Sequence, residues 1–295
     1  MDHAKKLRRR GVWFFTETMT SEQAIAFVQE VEKLNYSALW LPETTGRDPF
    51  SHIAMLATHT ERLIFATGIA NIHHRHPGVT KQAAATLAEM SENRFLLGLG
   101  VSHAPLVEGL RQLEYSKPIE SMRKYLNAMK GSPYTSVPPS VEPPCVLAAL
   151  GPRMLELAGE ASDGAHPYWT TPEHTSNARL ILGKDKMLCV EQKVAFTTSR
   201  EIAYQTARTE LGRYIRLPNY RNNWKRLGFT DDDIDSTSDR FIDELVAWGT
   251  LDQINERLTE HEEAGATHVC IQPLAVHGEF GTPHWEALEA LAPSS

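Results

Sequence analysis

The sequence predicts an α/β fold of the (β/α)8 TIM-barrel type, and three observations predict it. Short apolar runs alternate with amphipathic helical stretches along the whole chain, and eight such strand–helix units can be counted. Several of the runs are apolar at consecutive positions, as expected of parallel strands covered on both faces. The 295 residues suffice for one barrel-sized unit, and eight repeats of this kind favour a closed barrel over a doubly wound sheet. The whole of 1–295 is therefore expected to form one barrel domain, with a helix-rich insertion after the seventh strand at about 212–248.

Gly11-Val12-Trp13-Phe14-Phe15 is the first strand, and Thr20 or Ser21 caps a helix whose apolar face carries Ile25, Phe27, Val28, Val31 and Leu34. Asn35-Tyr36 turns the chain into the second strand, Ala38-Leu39-Trp40-Leu41, which ends at Pro42-Glu43-Thr44. Asp48-Pro49 opens the next helix, because proline suits a first helical position. Residues 63–69 are a third strand, 78–90 a helix and 93–101 a fourth strand leaving through Ser102-His103. A helical stretch over 105–130 breaks near Ser116-Lys117-Pro118, and the Pro/Ser-rich segment 131–144 reads as a loop. The fifth strand, 145–150, passes through Gly151-Pro152 into a helix. The sixth is Gly164-Ala165-His166, and the seventh spans 187–196. A helix from Ser199, an aromatic helical region over 214–248 and a helix closed by Gly265 precede the eighth strand, 268–273. A short helix over 285–291 ends the pattern.

Composition narrows the function classes. A net charge of −7 argues against a nucleic-acid surface, and Leu7-Arg8-Arg9-Arg10 reads as a solvated start rather than a basic arm. The apolar runs fall short of a membrane span and no signal-peptide core follows Met1, so a cytoplasmic protein is expected. Cys145, Cys189 and Cys270 stand far apart, each in a strand, which suits buried thiols rather than disulfides. His73, His74 and His76 lack an accompanying Cys/His or carboxylate cluster, so no metal site is expected.

Candidate chemistry gathers at the strand exits, where ligands bind in parallel α/β folds. Glu43 and His103 follow the second and fourth strands, and a carboxylate and an imidazole facing one cleft can transfer protons or bind substrate. Gly98-Leu99-Gly100 lacks the third glycine of a dinucleotide fingerprint. Its glycines mark close approach, either of neighbouring backbone or of a flat ligand ring. Gly151-Pro152-Arg153-Met154 presents free helix-start N–H groups to an anion, with Arg153 as a possible counter-charge. His166-Pro167-Tyr168-Trp169 forms a wall for a planar ring or a plain apolar plug, and residues 217–224 form a lid or a subunit interface.

These residues also carry a resemblance. Ala66-Thr67-Gly68-Ile69-Ala70-Asn71, Arg75-His76-Pro77, Ala83-Ala84-Ala85-Thr86-Leu87 and Asn93-Arg94-Phe95-Leu96-Leu97-Gly98-Leu99-Gly100 resemble the bacterial luciferase-like monooxygenase superfamily. Val101-Ser102-His103, residues 148–154, His166-Pro167-Tyr168 and Leu217-Pro218-Asn219-Tyr220 are similar to its branch of coenzyme F420-dependent oxidoreductases. The likeness runs nearly end to end. It implies a TIM barrel holding a flavin or deazaflavin at its mouth, backed by a cis peptide that falls here at Gly68–Ile69. It also implies that Glu43 approaches the ring and that Asn71, Gly151, Thr170 and Thr171 hold ring or phosphate groups. Sugar-phosphate dehydrogenase relatives have a catalytic histidine where this chain has Thr44, and a glutamate where it has His103, which makes His103 the proton-transfer candidate.

The resulting expectation is an enzyme moving a hydride between F420 and a small organic substrate, with a homodimer implied by the resemblance. Two alternatives stand beside it: a monooxygenase using reduced FMN and oxygen, and a non-catalytic flavin- or deazaflavin-binding barrel. Thr44 and the compressed 131–144 loop keep the latter open.

Overall fold

Prolines set the rhythm of this fold, because six α-helices among the described residues start on one just after the chain leaves a strand or loop. The computed structural model describes Leu7 and residues 10–294, so Arg8 and Arg9 of the basic cluster lie outside the described residues. The proline-started helices are α2 (Pro49–Ala57), α3 (Pro77–Met90), α4 (Pro118–Gly131), α5 (Pro152–Ala161), α6 (Pro172–Leu182) and α8 (Pro218–Arg226). A proline there loses no intrahelical bond and is pre-set for helical φ. Side-chain caps start others: Thr20 forms a capping box with Gln23 at α1 (Ser21–Lys33), and Ser199 caps α7 (Arg200–Leu211).

Eight parallel strands close a barrel. They are β1 (Arg10–Trp13), β2 (Ala38–Leu41), β3 (Ile64–Thr67), β5 (Phe95–Gly100), β6 (Cys145–Leu147), β7 (Gly164–Ala165), β8 (Met187–Ala195) and β10 (His268–Pro273). Pairing runs β10-β1-β2-β3-β5-β6-β7-β8, and β8 pairs back with β10 from Cys189↔His268 to Val194↔Pro273. Two short strands supplement the ring. β4 (Ala70–Asn71) pairs with β5 just after the exit of β3, and β9 (Val246–Trp248) pairs with Lys193–Ala195 of β8.

β9 departs from the helical reading of 212–248. That insertion contains α8, α9 (Asp231–Asp235) and α10 (Asp239–Leu245), then ends in this strand. β7 pairs with β8 only at Met187 and Leu188, so the later part of β8 has an edge free for β9.

The apolar runs are explained by two packed layers. Leu39, Phe65, Leu97, Leu147, Val190 and Ile271 join the helices in the outer core, while Trp40, Ala66, Leu96, Val146, Cys189 and Cys270 fill a second cluster. Neighbouring residues on each strand thus go to opposite faces, both covered. A third cluster, around Trp169, Trp224 and Phe241, lies beneath the insertion. The remaining helices are α11 (Leu251–Glu263) and α12 (Trp285–Ala290), and a π-helix spans Pro105–Leu110. Among the described residues no helix is long and apolar enough to cross a membrane.

Candidate active site

A cavity of about 400 Å3 opens where β1, β2, β3, β5, β6 and β7 deliver their chain ends, with α8 across it. Its floor is built from backbone. The Gly68–Ile69 peptide is cis, at the bond that the resemblance implied, and Trp13 Nε1 donates to the Gly68 carbonyl at 3.2 Å. A Cβ on Gly100 would lie 2.4 Å from Ile69 Cδ1, and one on Gly98 would lie 2.0 Å from the Thr67 carbonyl. Thr67 Oγ1 donates to the Gly98 carbonyl at 2.7 Å and accepts from Gly98 N–H at 2.8 Å. These glycines give clearance to the exit of β3 and to Ile69; they do not themselves make room for a ligand ring, as one reading of the sequence had it.

Glu43 lines the cavity, but its carboxylate is fully engaged. Oε2 accepts from Asn71 N–H at 2.7 Å and from Arg75 Nη1 at 2.9 Å. Oε1 accepts from Arg75 Nη2 at 2.5 Å and lies 3.1 Å from His74 Nδ1. Asn71 Nδ2 donates to His74 Nε2 at 3.1 Å, so the proton of a neutral His74 sits on Nδ1 and points at Glu43. Arg75 also pairs with Asp48. Glu43 and Arg75 are only 7% and 16% exposed, so this is a largely buried, bidentate pair that fixes the turn after β4.

His103 enters from the exit of β5, beside Ser102 in a left-handed conformation at φ 58°. Its Nδ1 lies 3.1 Å from Asn219 Oδ1 on α8, and its ring packs on Tyr220 at 5.5 Å. An amide oxygen only accepts, so Nδ1 carries the proton and Nε2 keeps a lone pair. Burial pushes the imidazole below its ordinary range, against a smaller upward pull from the Asn219 bond. His103 is therefore neutral near pH 7.

His166 follows the same logic deeper in the barrel. Nδ1 donates to the Cys189 carbonyl at 2.8 Å, the ring stacks on Trp40 at 4.2 Å, and Nε2 is a buried acceptor with no donor among the described residues. Burial takes its pKa down to about 4. Nearby, Lys193 Nζ donates to Tyr168 Oη at 2.5 Å and to Gln272, and lies 3.3 Å from Glu191.

Residues 7–268 match the sequence profile of the luciferase-like monooxygenase family. The chain belongs to that family. It is an enzyme of this oxidoreductase and monooxygenase class. A Mycobacterium tuberculosis protein named for coenzyme F420-dependent oxidoreductase activity is 24% identical over 307 residues, covering 83% of this chain and 88% of its own. An F420-dependent secondary alcohol dehydrogenase, solved with an F420-acetone adduct, superposes with a TM-score of 0.75 at 14% identity, covering 97% of each chain. The oxygenating constituent of 3,6-diketocamphane monooxygenase from Pseudomonas putida, solved with FMN, superposes at 0.67 and 15% identity over 97% of this chain and 96% of that one. Identities this low make the two structural likenesses statements about fold.

Within this luciferase-like barrel, the structure brings Glu43, Gly68, Ile69, His103 and Gly151 to one cavity and leaves Asn71, Thr170 and Thr171 outside its lining. Asn71 is instead a turn-former, since its Oδ1 accepts from His73 N–H at 3.0 Å. Thr171 caps α6 by accepting from His174 N–H, and Thr170 Oγ1 is buried without a partner among the described residues. Arg153 is exposed and away from the cavity, whereas Arg226 of α8 lines it, with a guanidinium nitrogen 3.1 Å from where a Gly151 Cβ would be. Sequence reasoning passed over Arg226. Its neighbours at 217–224 had drawn notice as an aromatic lid, and that segment supplies Leu217, Asn219, Tyr220 and Asn222 to the cavity.

Proposed function

We propose that this chain is an oxidoreductase moving a hydride between the deazaflavin coenzyme F420 and a small organic substrate. The observation that carries the reading is His103: a neutral imidazole whose Nε2 has no partner among the described residues, fixed by Asn219 at the side of a largely apolar cavity floored by Ile69. Such a group accepts a proton from a substrate hydroxyl as hydride leaves the carbon, and returns it in the opposite direction. Bound F420 supplies the carbon that gives or takes the hydride.

The residues present suit that coenzyme. His166 Nε2 is an acceptor waiting for a donor, which an N–H or O–H on a ring edge provides. Gly151 leaves the start of α5 open, without a side-chain cap, and Arg226 beside it has no ion pair among the described residues, which suits a phosphate. Glu43 acts here as a positioning group, holding the turn that backs Ile69. F420 is preferred to FMN on the strength of the F420-named relative, and a homodimer is part of the same reading.

The test is a fluorescence titration of the purified protein with F420 and with FMN, followed by hydride transfer across a panel of alcohols and carbonyl compounds. F420 binding with turnover is expected. Tight FMN binding, no F420 binding and oxygen uptake with reduced FMN would establish the monooxygenase alternative instead. Light scattering reads the oligomeric state.

A further inference from the structure

The barrel mouth holds a second cavity, of about 330 Å3, that the proposed reaction does not use. One face of α7 and its continuation, through Ile202, Thr206, Glu210 and Arg213, forms one side; the chain leaving β10, from Gln272 to Thr282, contributes the other. Phe15 lines both cavities. The partition is completed by Tyr168, which lines the principal cavity and donates at 3.0 Å to Gln272, which lines the second.

Two charged groups here have bonding capacity left over. Glu210 is 7% exposed, and its Oε1 has no hydrogen-bond partner among the described residues. Its Oε2 lies 3.7 Å from Arg213 Nε, an ion pair too long for a hydrogen bond. Arg213 sits 3.8 Å over the Phe280 ring, and no hydrogen bond from its terminal nitrogens is found among the described residues. Oε1 is closed off from solvent, so a ligand in the cavity would meet the carboxylate at Oε2, which accepts no hydrogen bond among the described residues and is a strong acceptor for one. A cation alone would be attracted by Glu210 and repelled by Arg213, and an anion alone the reverse. A ligand carrying both charges on adjacent atoms satisfies both groups and leaves the local charge unchanged. Phe14, Phe15 and Phe280 offer an apolar, aromatic lining for the rest of such a molecule.

We infer that this second cavity binds a small zwitterion of the α-amino-acid type, its ammonium on Glu210, its carboxylate on Arg213 and an apolar side chain among the phenylalanines. The site is independent of the hydride-transfer reading and is tested without any coenzyme. Isothermal titration of the purified full chain with L-phenylalanine, into the millimolar range, is expected to show saturable binding. Phenethylamine and 3-phenylpropanoate, each lacking one charge, should bind about tenfold more weakly or worse, as expected for loss of a charge-assisted hydrogen bond. Glu210→Gln and Arg213→Gln should weaken L-phenylalanine by a similar factor. Thr209→Trp, which puts a bulky ring on the cavity wall, should abolish binding. Absence of saturable binding overturns the inference, as does equal affinity for the singly charged analogues. Should Glu210→Gln fail to fold by circular dichroism, the analogue series on the unaltered protein decides.

Discussion

Lowering the pH from 6.5 to 4.5 should cost the folded state about 2 kcal/mol through His261 alone, since the unfolded ring is already half protonated at pH 6.5 and the full slope of about 1.4 kcal/mol per unit is reached only below it. His261 on α11 is fully buried. Its Nε2–H donates to Gln192 Oε1 at 2.8 Å, and its Nδ1 accepts from Thr175 Oγ1 at 2.8 Å, so the neutral ring is satisfied on both sides. Burial, with help from the nearby Arg257 charge, holds its pKa at about 3, against an ordinary value of 6.5. Between those values the unfolded chain binds a proton that the folded chain refuses. The stabilisation is therefore complete above pH 6.5 and is lost progressively as pH falls toward 3. His52, His166 and His174, each held at about 4 chiefly by burial, add to the same acid sensitivity. The contribution of His261 is isolated by comparison with His261→Gln in urea unfolding at stepped pH. The other histidines cancel, and the stability gap between the two proteins should narrow by about 2 kcal/mol from pH 6.5 to 4.5. A gap that stays constant with pH would refute the argument.

Three further substitutions test the site. His103→Gln should lower kcat by about 10²–10⁴-fold while leaving F420 affinity little changed; in the unaltered enzyme, kcat/KM for alcohol oxidation should rise with pH through an apparent pKa below 6.5, and that limb should vanish in the variant. Glu43→Gln should destabilise by about 1–3 kcal/mol, measured by denaturant midpoint, because it leaves the largely buried Arg75 with Asp48 as its remaining carboxylate; unchanged stability with lost turnover would return Glu43 to a catalytic role. Gly98→Ala should cost at least about 1–3 kcal/mol, read from the thermal midpoint, since its methyl would meet the Thr67 carbonyl at 2.0 Å.

The barrel was legible because its strands are covered on both faces and its helix starts are marked by proline, serine, threonine or aspartate. β9 was not, because Val246-Ala247-Trp248 is only three residues long and follows α10 without a turn, too short for any period to show. At the site, the chain exits bring Glu43, Ile69, His103 and Gly151 to the lining of one cavity, and position at a strand end needs no knowledge of side-chain direction. Partners escaped. Nothing local in the sequence links His103 to Asn219, 116 residues away, or Gly151 to Arg226. Asn71 went the other way: its strand-end position suggested a ligand, yet short-range bonds to His73 and His74 absorb its amide. Glu43 likewise met Arg75 before any substrate.

The clearance between Gly98 and Thr67 bears on how such a barrel can be re-engineered. The floor is a contact between backbones, so a library of side chains there yields mostly misfolded protein and little new specificity. α8 is different. A helix of nine residues and the leucine before it supply five of the cavity's residues, and Trp224 pins the helix by donating to the Trp169 carbonyl at 3.0 Å. A segment swap at 217–226 that keeps Trp224 would recast the roof and both polar flanks in one cassette, on a floor that need never be altered.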